Sequence, residues 1–189
     1  ATALEELANF YSSRFTLPVK MKLLKLAEAL EERLHLSGLY RSHHRRDTNI
    51  ALAEVMCDRL NPDWFDVKSA MKCLETAFSD QQVVEEAEGE EPEDARVSRL
   101  KAKFFSAKIF YLKAVSQKEL LQPREAAENL ERAATEVEAN LSYLQTVAEN
   151  GKQTPDYKRN KEMAEALSLS IKQLQQNLKA ESQPLKEIK

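Results

Sequence analysis

Arg41, His43, His44, Arg45 and Arg46 fall within six positions of the stretch LYRSHHRRDTN, Leu39–Asn49, which holds two of the chain's three histidines. Two chemistries suit such a set. Imidazoles ligate metals, and His43 and His44 with His35 could contribute to a site in which Glu32 and His35 supply a Glu-x-x-His step. A carboxylate-bridged di-iron centre needs a second such step, which the sequence lacks, and a zinc site needs a fuller ligand set. Three neighbouring arginines also oppose a cation, so no metal is expected. Guanidinium forks suit carboxylates and phosphates instead, and the start of a following helix would add N–H donors. The ligand of this stretch would then be an acidic or phosphorylated peptide. The plainer reading is an exposed polar bend between two helices.

No catalytic residue stands out. Cys57 and Cys73 lie on apolar helical faces, where a small buried thiol is the ordinary role. There is no glycine-rich turn to form an oxyanion hole and no phosphate-binding loop. An enzyme is not expected, and neither is a cofactor. Phe104, Phe105, Phe110 and Tyr111 form an aromatic cluster that reads first as core. Phe104, Phe105 and Tyr111 could also wall a groove for an amphipathic helical peptide, and with Arg41, His43, His44, Arg45 and Arg46 they make up the expected partner-binding set.

Charge and hydropathy narrow the partners. The chain has a net charge of −3 and a pI of about 5.8, and its basic residues do not interleave with aromatics, so nucleic acid is not expected. No run of about 18 apolar residues exists to cross a membrane, and the first residues carry Glu5 and Glu6 rather than a basic leader. Two cysteines in helical patterns fit a reducing compartment, cytosol or nucleus. The partner class that remains is another protein.

The elements that position these residues are helices. Three glycines and six prolines in 189 residues, with Leu, Ala, Glu, Lys and Gln dominant, give an all-α class in a single domain over residues 1–189, read as a piece of a larger chain. A short helix is expected around Leu4, Leu7 and Phe10–Tyr11. From Pro18 to Gly38, Leu23, Leu26, Leu30 and Leu34 recur at three and four and mark an amphipathic helix. Asp47 or Thr48 should cap a helix carrying Ile50, Leu52, Val55, Met56 and Leu60. Asp63 should open the next, with Trp64, Val67, Ala70, Met71, Leu74 and Phe78 on one side. Residues 81–95 read as an acidic mobile loop, because EEAEGEEPED, Glu85–Asp94, holds seven acids and no base and cannot bury apolar surface. Beyond it, Phe104, Ala107, Tyr111 and Ala114 lie on a broad central stripe. Leu130, Ala134, Val137, Leu141 and Leu144 mark a helix from Pro123. Met163, Leu167, Ile171, Leu174 and Leu178 mark a last one from about Pro155.

Helices in hairpin order close into a bundle or stack as pairs. An internal echo favours stacking: Ala70 and Ala77 lie seven apart, as do Ala127 and Ala134. The segments WFDVKSAMKCLETAF and PREAAENLERAATEV resemble the second helix of tetratricopeptide repeats, with IALAEVMCDRL and AKFFSAKIFYLKAV in the place of first helices. The resemblance covers roughly residues 47–148 in degenerate form, without the early tryptophan and Leu-Gly-Tyr elements. It implies a short α-solenoid of stacked antiparallel hairpins, a closed bundle being the alternative. It also implies a noncatalytic scaffold that binds partner proteins.

Overall fold

A computed structural model describes residues 17–38, 42–88, 96–149 and 155–182. All regular structure among them is helical: α1 (Leu17–Leu36), α2 (Ser42–Cys57), α3 (Val67–Glu88), α4 (Arg96–Glu119), α5 (Pro123–Glu149) and α6 (Pro155–Ser182). The helix expected around Leu4–Tyr11 lies outside the described residues. The chain falls into two compact units, residues 1–90 and 91–189.

In the first unit α2 packs against both α1 and α3. Its residues Ile50, Leu52, Ala53, Val55, Met56 and Cys57 are all buried, which makes it the central helix. α1 ends where Gly38 takes a φ of 70°, a left-handed conformation that costs glycine nothing. The Gly38 N–H donates to the His35 carbonyl at 3.0 Å. α2 starts at Ser42, ahead of the expected Asp47 or Thr48 cap. Thr48 and Asn49 are buried in the helix, and Asn49 donates to the Arg45 carbonyl one turn back at 2.9 Å. Leu60, expected on the apolar face of α2, follows its end and is exposed.

The corner between α2 and α3 is organised by Asp58, whose carboxylate accepts from the Leu60 N–H at 2.9 Å and from the Asn61 amide at 2.8 Å. The cap of α3 is Asp66 rather than Asp63. Its carboxylate accepts from the Ser69 N–H at 3.1 Å and from the Ser69 hydroxyl at 2.7 Å, which satisfies a donor of the first turn. These hydrogen bonds hold the Asp66 carboxyl below its usual range. α3 then runs eight residues into the expected acidic loop, to Glu88, because Asp80 and Gln81 are buried and partnered there. Residues 89–95 lie outside the described ones.

In the second unit α4, α5 and α6 pack in sequence, and α6 also meets α4. The seam is built from small and aliphatic side chains: Ala107, Ile109, Leu112 and Ala114 from α4, Ala126, Leu130, Ala133, Val137 and Leu144 from α5, and Ala164, Leu167, Ile171 and Leu178 from α6. Ala70 and Ala77 are fully buried as expected. In α5 the buried alanines are Ala126 and Ala133, one residue ahead of the expected Ala127 and Ala134. α4 and α5 are antiparallel, since Lys103 meets Glu136 at 3.8 Å while Asn129 donates to Gln117 at 2.8 Å. Lys118 joins Glu181 at 2.8 Å, setting the ends of α4 and α6 side by side. The turn between α4 and α5 places Leu121 at a φ of 59°, with the Gln122 N–H donating to the Gln117 carbonyl at 2.9 Å. This is the six-to-one bond of a helix stop that usually carries glycine.

Candidate functional site

The basic stretch that could read an anion is the first part of α2. Arg41 lies outside the described residues. Arg45 grips Asp80 of α3 with two bonds, Nε and a terminal nitrogen each 2.8 Å from one carboxylate oxygen. Asp80 is 1% exposed and Arg45 11%. Arg45 also meets Glu32 of α1 at 3.4 Å. Arg46 is buried, donating to Gln81 at 2.8 Å and to Asp47 at 2.7 Å, and Gln81 donates onward to Glu85 at 2.9 Å. Two guanidinium groups are thus spent in a polar layer between α2 and α3. Such forked, desolvated pairing is the strong form of the interaction. His43 is exposed and His44 half-buried, their ring centroids 4.0 Å apart.

α1 packs through a row next to the expected one. Its buried row is Met21, Leu24, Ala27 and Glu31, whereas of the expected row Leu26 and Leu34 are exposed and Leu23 and Leu30 half-buried. Val19 is 46% and Leu26 50% exposed, Leu34 is exposed, Leu36 is 79% exposed, and Leu23 and Leu30 between them are half-buried. A helix rises about 1.5 Å per residue, so Val19 to Leu34 is a stripe roughly 22 Å long. Reasoning from sequence missed these positions as a surface, because α1 carries two apolar rows and periodicity alone does not say which one meets α2. The second row, Met21–Leu24–Ala27, was the available signal. Lys22 and Arg33 border the stripe on one side, and Lys20 lies on the other. Lys25 sits 5.6 Å from the centroid of Trp64.

In the second unit Phe104 and Phe105 meet edge to face at 5.7 Å. Both are half-buried, as is Tyr111. Phe110 is buried at the edge of a shallow groove of about 510 Å³ between α4 and α5, lined also by Glu128, Glu131, Arg132, Thr135 and Glu136. The Arg132 guanidinium lies 5.8 Å from the Phe110 ring centroid. The expected aromatics and the basic stretch belong to different units.

Cys57 and Cys73 are both buried. Burial, reinforced by the nearby Glu28 carboxylate and Cys57, pushes the Cys73 thiol up to about 12. It stays protonated at neutral pH and is no nucleophile there. Among the described residues no three His, Cys, Asp or Glu side chains are grouped to hold a metal ion, and no helix is long and apolar enough to cross a membrane. Comparison of the chain with protein-family models, with curated proteins and with solved structures gives no match.

Proposed function

We propose that this chain is a noncatalytic scaffold or adaptor domain that binds a partner protein through a helix-lined surface. One observation carries the reading: α1 turns Val19, Leu26 and Leu34 to solvent along one face, with half-buried Leu23 and Leu30 between them, while a second apolar row fixes it to α2. A contiguous exposed aliphatic row costs solubility and is the usual mark of an interaction site. The finer architecture we propose is a tetratricopeptide-like stack of helix pairs. Its supports are the antiparallel pairing of α2 with α3, where Met56 meets Asp66 at one end and Arg45 meets Asp80 at the other, that of α4 with α5, and the buried alanines one heptad apart in α3 and α5. The compartment proposed is cytosolic or nuclear, in keeping with two buried cysteines. The expected anion site at Arg41–Arg46 is not part of this proposal, because Arg45 and Arg46 serve the interior of the first unit.

The test is to place a photo-crosslinking residue at position 26 and, separately, at exposed position 172, and to irradiate in cells. A defined protein adduct at 26, absent at 172 and lost with Val19→Glu, is the expected result. Equal labelling at both positions, or none at 26, overturns the reading.

A further inference from the structure

We infer that the outer stripe of α1 receives a single amphipathic helix whose apolar row is bordered by acidic residues. The inference rests on the protein-binding reading above and adds the chemistry of the partner.

The borders of the stripe decide the charge. One side carries Lys22 and Arg33, both exposed, and the other carries the half-buried Lys20. Glu32, the exposed acid nearest this border, already faces Arg45 at 3.4 Å. A helix laid along the stripe therefore meets cations on both sides, and Glu or Asp at its own borders completes ion pairs where a Lys-bordered helix meets repulsion. The same charges disfavour a second copy of α1. A two-fold antiparallel pairing that sets Val19 against Leu34 and Leu23 against Leu30 also brings Lys22 of one copy beside Arg33 of the other. The shape favours a helix over a lipid surface. The row is one residue wide, alternates protruding Val19 and Leu26 with half-buried Leu23 and Leu30, and includes no aromatic residue. Knobs entering holes use such a row, whereas interfacial helices present a broad apolar face with aromatics.

The experiment titrates the whole chain into two labelled synthetic peptides of about 16 residues, the length the stripe accommodates. Both have leucines at helical spacing, one with glutamates and one with lysines at the borders, and binding is read by fluorescence anisotropy. The glutamate peptide is expected to bind and to weaken as salt rises. Lys22→Glu with Arg33→Glu should weaken it about tenfold, the sum expected of reversing two surface charges. Leu26→Glu should abolish binding with an unchanged circular dichroism spectrum. Equal binding of both peptides overturns the charge inference and leaves the protein-binding reading standing. Failure of both peptides overturns the inference, and three accompanying readouts identify the true occupant. Protection of a Leu26→Cys thiol from labelling would mean that this chain's own residues cover the stripe. A concentration-dependent mass in sedimentation would mean a second copy. Flotation with phosphatidylserine vesicles would mean a membrane surface.

Discussion

Among the described residues each unit holds three helices with an apolar interior, yet charged groups enter only that of the first. Between α2 and α3 lies a polar layer, with Arg45 on Asp80 and Arg46 on Gln81. Between α4 and α5 lie mainly alanines and aliphatics, crossed by the partly exposed Lys103–Glu136 pair and the Asn129–Gln117 hydrogen bond. Desolvated charges make an interface sensitive to loss of a partner, because the survivor is left uncompensated. Small side chains make an interface sensitive to added volume. The two units should therefore fail in response to different substitutions. Trp64, the chain's one tryptophan, lies in the first unit, so its fluorescence follows that unit alone.

The largest effect is expected from Asp80→Ala, which removes the two-bond fork from the Arg45 guanidinium and leaves it the exposed Glu32 at 3.4 Å. It should cost about 3–5 kcal/mol, read as a lower urea midpoint for Trp64 fluorescence. A change under 1 kcal/mol would show that the layer is dispensable. In the second unit Ala133→Leu should cost about 1–3 kcal/mol by overpacking the seam, lowering the melt followed by far-ultraviolet circular dichroism while the Trp64 transition stays put. Glu31 tests the polar logic from the other side. It is buried with its Oε1 unpartnered, so Glu31→Met should raise the Trp64 midpoint by about 1–3 kcal/mol. Leu121→Gly should stabilise the second unit by about 1 kcal/mol, since it relieves a left-handed backbone at a side chain that is 88% exposed.

The smallest effect is one of pH. Burial raises the Glu28 carboxyl above its ordinary 4.5, Lys25 pulls it down, and Glu32 adds to the rise. A raised acid favours the folded state while it is protonated. Its contribution is present below the ordinary value and is lost as pH rises through the folded one. Glu28→Gln should flatten the pH dependence of the Trp64 midpoint just above pH 4.5 and leave its acid limit unchanged. An unaltered slope would assign that dependence to other groups.

The all-α class was legible because Leu, Ala, Glu and Lys repeat at three and four along the whole chain. The ends of helices were less so, since several residues of capping type stood near each start. Asp63 and Asp66 both qualify, and only the Ser69 contacts select Asp66. Asp47 and Thr48 look like caps because such residues rarely sit inside helices, and here buried surroundings outweigh that preference. The polar layer was illegible for a different reason. Arg45 and Asp80 are 35 residues apart, and a charge with no visible partner reads as solvated. α1 shows the same limit for apolar residues: a row can be seen in the sequence, but its neighbour cannot.

The Arg45–Asp80 fork also fixes alignment. Aliphatic seams allow one helix to slide along another by a turn at modest loss, since methyl groups of adjacent turns are nearly interchangeable. A slide of α3 by one turn along α2 would bring Thr76 or Val84 to the place of Asp80, taking the buried Asp80 carboxylate off the Arg45 fork. Misaligned encounters between the two helices would be short-lived for that reason, and the layer would act as a sorting step while the chain folds, whatever its net contribution to the stability of the finished unit.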